Sequence, residues 1–242
     1  MRIILKLKPN GKFINDNTIN HKIQGFIYKL LEDTFFSDLH NKKGSKYFCF
    51  SNIFKKENDD LRYLIISSPI REIIDIISKK IKIGKEINIG DYSFTMINYK
   101  KTNIDIKDNI KIRNSTPIIL RIPRDKFTTD ETKNKFKYYY WRKEFGLDIF
   151  IEQLSANMIK KYEKFFGVEL DRELKLFESY RFVKEVSHMM QIGGKNSKLI
   201  GSYWEFETIW LDNLAKDIIR LSLDAGLGEM NSLGFGFTNS IA

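Results

Sequence analysis

Apolar side chains recur with two different periods along the first hundred residues of the chain. Within 1–8 the apolar residues Ile3, Leu5 and Leu7 occupy alternate positions, a spacing that predicts a strand. Between 20 and 36 the apolar residues return every three or four positions, which predicts a helix. The same reasoning adds, in chain order, strands at 47–54 and 62–68, a helix at 69–80 and one or two strands within 81–99.

The second half of the chain predicts the same order of elements. An amphipathic pattern closes at Gly167, a residue type that often follows a helix, and the Gly193–Gly194 pair suits the turn of a hairpin. The predicted elements are a strand at 117–122, a helix at 148–166, a hairpin of strands 179–192 and 198–208, a helix at 211–225 and a strand at 235–241.

Two successive βαββαβ orders predict an α+β fold of two tandem ferredoxin-like domains. The polar, charged stretch 105–116 is the expected joint. We therefore expect an N-terminal domain at 1–112 and a C-terminal domain at 113–242. The order of elements repeats between the halves, although no sequence repeat accompanies it.

Composition narrows the class of protein. The 242 residues contain 41 Lys and Arg against 31 Asp and Glu, so the formal net charge is +10. This charge favours a polyanionic partner, because each phosphate that a cation neutralises releases condensed counterions. Cys49 is the single cysteine, which excludes a disulfide framework and a cysteine-based zinc site and predicts a reducing, cytoplasmic location. The apolar runs are too short to predict a membrane-spanning helix.

A glycine-rich segment near the C-terminus is the most distinctive motif. Two Gly-x-Gly pairs are separated by five residues, and the spacing fits neither a P-loop nor a dinucleotide-binding fingerprint. Such a loop can turn several N–H groups towards a phosphate, and its alternative is a tight helix-to-strand connection. The predicted phosphate-binding residues are Gly226, Gly228, Asn231, Ser232, Gly234 and Gly236.

This loop resembles the signature of the CRISPR-associated repeat-processing endoribonucleases, which belong to the superfamily of repeat-associated RNA-binding proteins. Segments 23–28, 39–51 and 157–167 also resemble that family, so the resemblance covers both halves. It implies the tandem ferredoxin-like fold and CRISPR repeat RNA, precursor and mature guide, as partner. It further implies cleavage without a metal or other cofactor.

The candidate catalytic group starts from His40, which lies in a polar loop rich in lysine. Histidine is the side chain that changes charge closest to neutral pH, so it can act as a general acid or base. In the family a histidine here, a lysine six residues later and a tyrosine on the preceding helix form the active site. The resemblance therefore implies His40, Lys46 and Tyr28.

Neighbouring residues leave alternatives open. Lys42 and Lys43 could replace Lys46 or contact phosphate. His21 is the second choice as proton carrier, or a polar residue at a helix start. His188 is expected to be structural or an RNA contact.

A second basic cluster at 133–143 interleaves cations with aromatic residues, including Trp141. Cations suit phosphates and aromatic rings suit unpaired bases. The alternative is a partly buried edge segment with solvated lysines. The predicted RNA-binding residues of this region are Arg121, Arg124, Lys133, Lys135, Lys137, Arg142 and Lys143.

The function expected from these features is cleavage of precursor CRISPR RNA within its repeats. Attack by the ribose 2′-hydroxyl would leave a 2′,3′-cyclic phosphate and would need no metal. The alternative is a non-catalytic RNA-binding subunit of a CRISPR effector complex, with the other subunits as further partners.

Overall fold

The computed structural model describes residues 1–16, 18–41, 44–57, 59–123, 138–171, 174–192, 194–209 and 211–241. The first half forms β1 (Arg2–Pro9), α1 (Ile19–Leu31), β2 (Cys49–Phe50), β3 (Arg62–Ser67), α2 (Arg71–Lys80), β4 (Glu86–Ile89) and β5 (Tyr92–Thr102). The second half forms β6 (Ile110–Asn114), β7 (Ile118–Ile119), β8 (Arg121–Pro123), β9 (Tyr138–Tyr140), α3 (Leu147–Phe166), β10 (Ser179–Ile192), β11 (Lys195–Thr208), α4 (Asn213–Ala225) and β12 (Thr238–Ile241).

The first five strands form one antiparallel sheet in the order β2-β3-β1-β5-β4. Its central strand β1 pairs Leu5 with Leu64 on one side and with Tyr99 on the other. Without β4, which pairs at the edge with β5, this order is that of a ferredoxin-like domain. The buried residues of α1 and α2 pack with the apolar face of the sheet into one core.

The second sheet has the order β10-β11-β6-β12, which is again ferredoxin-like. The helices α3 and α4 contribute to its core, where Trp204 stacks on Phe150 with ring centroids 4.2 Å apart. The long hairpin of β10 and β11 confirms the predicted pair, and β7 adds to the edge of β11. The tandem ferredoxin-like architecture is therefore confirmed.

Several predicted boundaries were wrong for identifiable reasons. The first strand of the second sheet is β6, not 117–122, and the expected division at residue 112 falls inside it. The predicted strand 117–122 instead divides into β7, which pairs with β11, and β8, which pairs with β9. The long strand predicted at 47–54 keeps only the pair Cys49–Phe50 and an isolated bridge at Phe54.

A buried polar contact joins the two domains. Arg2, on β1, donates to the side chain of Asn239 at 2.6 Å and to the carbonyl of Thr238 at 2.5 Å, both on β12. Its guanidinium lies 4.0 Å from Asp224 of α4, which also accepts a hydrogen bond from Ser67 at 3.1 Å. Since a buried charge is tolerated only when it is paired, these contacts specify one arrangement of the two sheets.

Candidate active site

The structure brings together Tyr28, His40 and Lys46, the three residues that the family resemblance implies. The Tyr28 and His40 rings meet edge to face with centroids 5.0 Å apart. The Lys46 ammonium lies 5.5 Å from the centre of the Tyr28 ring and donates a hydrogen bond to the carbonyl of His40. A candidate acid–base group, a phenol and a cation thus share one small surface.

Buried apolar residues on both sides hold the candidate catalytic loop in place. Helix α1 ends at Leu31, and a short 3₁₀ helix, Ser37–His40, carries the histidine. Leu39 anchors this helix in the core of the first domain, and the fully buried Phe48 anchors the other end of the loop. His40 is exposed between them, whereas Lys46 is half-buried.

Burial shifts the pKa values of two of the three side chains, Tyr28 and Lys46. It raises the pKa of the Tyr28 phenol, an effect that the neighbouring Ser232 and Gln24 oppose. The Tyr28 Oη is buried, and no described residue gives it a well-formed hydrogen bond. Burial lowers the pKa of Lys46 and so makes its ammonium a better proton donor. The exposed His40 has its Nδ1 3.1 Å from the side-chain oxygen of Asn41.

The glycine-rich segment packs differently from the predicted phosphate cradle. All four of its glycines are buried and have positive φ. The amide of Gly236 donates to the carbonyl of Pro117 at 2.8 Å, and that of Gly234 donates to Asn231 at 2.9 Å. Cβ atoms added at Gly226, Gly228 and Gly234 would approach Asn231, Ile119 and Phe50 within 2.5–2.6 Å. The amides of Gly234 and Gly236 serve the fold, so the prediction that they face phosphate was wrong.

The loop between the glycine pairs nevertheless reaches the active site. Asn231–Leu233 forms a 3₁₀ turn, and the carbonyl of Ser232 accepts a hydrogen bond from Gln24 of α1 at 2.8 Å. Gly234 lies directly against the Phe50 ring of β2. The second domain therefore closes over one side of the cluster of Tyr28, His40 and Lys46, and RNA binding by Asn231 and Ser232 stays a prediction.

Lys161 is a residue of this region that the sequence reasoning missed. Its ammonium donates to the carbonyls of Gly226 and Gly228 at 2.7 and 2.5 Å, and to the side-chain oxygen of Asn231 at 2.8 Å. Burial lowers its pKa to about 7. The sequence does contain a signal for this residue. The buried positions 150, 154, 158 and 161 of α3 follow one another at helical spacing, so a lysine occupies the apolar stripe of the helix.

The predicted RNA-binding cations fall into three groups. Arg121 is paired with Glu229 through its Nε and Nη2 at 2.5 Å, so its charge is largely compensated. Arg142 and Lys143 are exposed beside β10, where the backbone N–H of Lys143 donates to Glu185. The remaining candidates, Lys42, Lys43, Arg124, Lys133, Lys135 and Lys137, lie outside the described residues.

Trp141, His188 and His21 pack mainly against other parts of the protein. Trp141 is 2% exposed and its indole N–H donates to the carbonyl of Gly146, so it is not available to stack on a base. His188 packs edge to face against Phe235, and burial lowers its pKa. His21 lies near the start of α1 with a buried Nε2 that has no partner among the described residues.

The described ranges contain neither a membrane-spanning helix nor a cluster of metal ligands. No helix there combines the length and apolarity that crossing a bilayer requires. No three histidine, cysteine, aspartate or glutamate side chains of those residues converge on a point that could hold a metal ion.

The tandem of two ferredoxin-like domains is a fold that this chain shares with solved RNA-binding and CRISPR-associated proteins. The solved structure of a RAMP protein that binds different RNA substrates shares this fold, with a TM-score of 0.74, 21% identity and full coverage of both chains. A solved CRISPR-associated protein Cas6 has a TM-score of 0.69 and 26% identity, over 100% of this chain and 99% of that one.

Sequence comparison then places the chain within a family. The profile "CRISPR associated protein Cas6, C-terminal" matches residues 98–240. The CRISPR-associated endoribonuclease Cas6 2 of Methanocaldococcus jannaschii is 32% identical over the full length of both proteins. The chain therefore belongs to the Cas6 family, which confirms the resemblance in the sequence, and endoribonuclease is its class of enzyme.

Proposed function

We propose that this protein cuts precursor CRISPR RNA within its repeats, with the ribose 2′-hydroxyl as nucleophile. The 2′-oxygen forms a bond to the adjacent phosphorus while the bond from phosphorus to the 5′-oxygen breaks. The products are a 2′,3′-cyclic phosphate and a free 5′-hydroxyl. The observation that carries the proposal is the cluster of Tyr28, His40 and Lys46 at the junction of the two domains.

The surroundings of each group suggest its part in the reaction. A His40 that donates from Nδ1 to Asn41 presents the lone pair of Nε2, which can take the proton of the 2′-hydroxyl. Lys46 faces the extra negative charge of the phosphorane and gives a proton to the departing 5′-oxygen, a step that its lowered pKa favours. Tyr28 borders both groups, and we assign it a part in positioning the substrate beside them.

Mapped cleavage of a repeat RNA tests these roles. The RNA sequence is read from the CRISPR array of the source genome, and the assay contains EDTA because the proposed steps use no metal. His40→Ala is expected to slow single-turnover cleavage by about 10²–10⁴-fold, the usual contribution of acid–base catalysis, with RNA binding retained. A 2′-deoxy substitution at the cut nucleotide is expected to abolish cleavage and leave binding intact.

A modified leaving group separates His40 from Lys46. An RNA with sulfur in place of the bridging 5′-oxygen needs little protonation of its leaving group. It should restore much of the rate of Lys46→Ala but not that of His40→Ala. Wild-type rates in His40→Ala, or cleavage of the 2′-deoxy RNA, would refute the mechanism. Binding without any cleavage by the wild type would instead support a non-catalytic RNA-binding subunit of an effector complex.

A further inference from the structure

A groove of about 480 Å³ lies beside the catalytic cluster, within the volume range of small-ligand sites. Most of its lining comes from the loop at 44–47, one face of α3 and the loop at 228–233, and Arg121 of β8 and Ala225 of α4 complete it. Lys46 belongs to both the groove and the catalytic cluster. Any group held in this groove therefore lies next to the cluster of Tyr28, His40 and Lys46.

Asn157 is the unexplained polar residue of this groove. Its side-chain oxygen is buried and has no hydrogen-bond partner among the described residues. Because Asn157, Lys161 and Lys164 are spaced by four and three residues on α3, they lie on one face of that helix and reach the groove together. A buried polar atom without a partner costs free energy, so a ligand that completes its hydrogen bonds would be favoured.

Charge limits what that ligand can be. Four basic residues line the groove. Arg121 is paired with Glu229, and the ammonium of Lys161 is already hydrogen-bonded to the protein. Lys46 and the exposed Lys164 are therefore the cations that can face a ligand. Its acidic side chain, Glu229, is already paired with Arg121 at 2.5 Å. A group with one negative charge and hydrogen-bonding edges fits these walls, and a nucleotide within an RNA strand is such a group. An amide also offers a donor and an acceptor side by side, which suits reading the edge of an unpaired base.

We propose that this groove is a nucleotide-binding subsite in which Asn157 selects the base and Lys164 binds the phosphate of a nucleotide that flanks the cut. The inference rests on the proposed endoribonuclease function and deepens it. Lys161 holds the opposite wall through its bonds to Gly226 and Gly228, so the two walls keep a fixed spacing.

The first test substitutes all four bases at each nucleotide flanking the mapped cut. Wild-type protein should cleave the favoured RNA about tenfold faster than the others at one of the two positions, since a paired amide discriminates bases by this order. Asn157→Ala should bring the four rates within about twofold of one another. Asn157→Asp keeps the size of the side chain but lacks the amide donor, so it should also change the order of preference.

The second test measures occupancy without cleavage. An RNA that is 2′-deoxy at the cut nucleotide carries 2-aminopurine at one flanking position or the other. Binding of wild-type protein should change the fluorescence at one position, and Asn157→Ala should reduce that change. Lys164→Ala should weaken binding equally for all four bases. The matched control Lys160→Ala, an exposed lysine on the same helix that does not line the groove, should leave binding unchanged.

Equal rates for the four bases at both positions, or undiminished discrimination in folded Asn157→Ala, would overturn the proposal. So would the absence of a fluorescence change at both positions. If the wild type cleaves no repeat RNA, the proposed function fails, and the fluorescence of the uncleavable RNA still decides whether a nucleotide occupies the groove.

Discussion

Gly236 is the described glycine of the second domain where the backbone tolerates a side chain least. Its φ is +72°, and a Cβ added there would overlap the carbonyl oxygen of Leu227. The backbone has little freedom to relax, because the amide of Gly236 donates to Pro117 at 2.8 Å and its carbonyl accepts from Leu227 at 2.9 Å. The side chain of Asn231 also donates to the Leu227 carbonyl, at 2.9 Å.

Gly236→Ala should therefore be strongly destabilising. The left-handed conformation of a residue with a Cβ costs about 1–2 kcal/mol. Moving the Leu227 carbonyl away breaks a buried hydrogen bond, which costs about 1–3 kcal/mol more. The free energy of unfolding should fall by about 2–5 kcal/mol, and Tm by on the order of 10 °C for a chain of this size.

Gly167 provides a matched control for this prediction. It has nearly the same φ, +68°, at the end of α3, but an added Cβ would meet no atom within 4 Å. Gly167→Ala should show only the conformational cost, about 1–2 kcal/mol. Urea unfolding followed by circular dichroism measures both variants. Equal destabilisation of the two would refute the argument that close approach, rather than backbone conformation, requires glycine at 236.

Three further predictions concern buried polar groups. Asp224→Asn removes the carboxylate facing the buried Arg2; urea unfolding should show a loss of about 3–5 kcal/mol, and a loss below 1 kcal/mol would contradict the paired-charge argument. The pKa of Lys161, about 7 when folded, lies below its unfolded value, so the folded state releases this proton first and stability should rise with pH above 7. In Lys161→Met the slope between pH 7 and 9 should be smaller by up to about 1.4 kcal/mol per pH unit, and parallel curves would contradict a neutral lysine. Tyr28→Phe removes only the phenol hydroxyl, which has no well-formed hydrogen bond among the described residues, so cleavage should slow by about tenfold without loss of stability. An unchanged rate would mean that this hydroxyl does not help to position the substrate.

Local periodicity was enough to predict most of the fold, and its failures have physical causes. The strand β6 alternates the buried residues Ile110, Ile112 and Asn114 with exposed cations. This period-2 pattern is typical of a strand, but the high charge of the segment favours a joint between the domains instead. Just beyond the short strand β2, the hydroxyl of Ser51 accepts from the amide of Ile65 at 3.0 Å, and the amide of Ser51 donates to the carbonyl of Ile65 at 2.9 Å. Such a contact between distant residues leaves no local pattern in the sequence.

The catalytic cluster was predictable only through resemblance, and the groove beside it was not predicted at all. His40 and Lys46 are six residues apart, so one loop can bring them together. Asn157 and Lys161 reach the same region from the second domain, more than a hundred residues away. The apolar stripe of α3 indicates where Lys161 lies, but nothing in a single sequence says which loop meets it.

The glycine-rich segment connects the loop of His40 and Lys46 in the first domain with the groove residues of the second domain. Its glycines allow the turn to lie flat on Phe50, and the Gln24–Ser232 hydrogen bond fixes it beside Tyr28. The proposed catalytic side chains all come from the first domain, yet the buried environment that raises the pKa of Tyr28 depends partly on this turn of the second. A change that unfolds the turn should therefore expose Tyr28 to water and open one wall of the groove, even though no catalytic side chain is altered. The requirement for glycine here arises from how closely two domains approach, and its effect on catalysis is indirect.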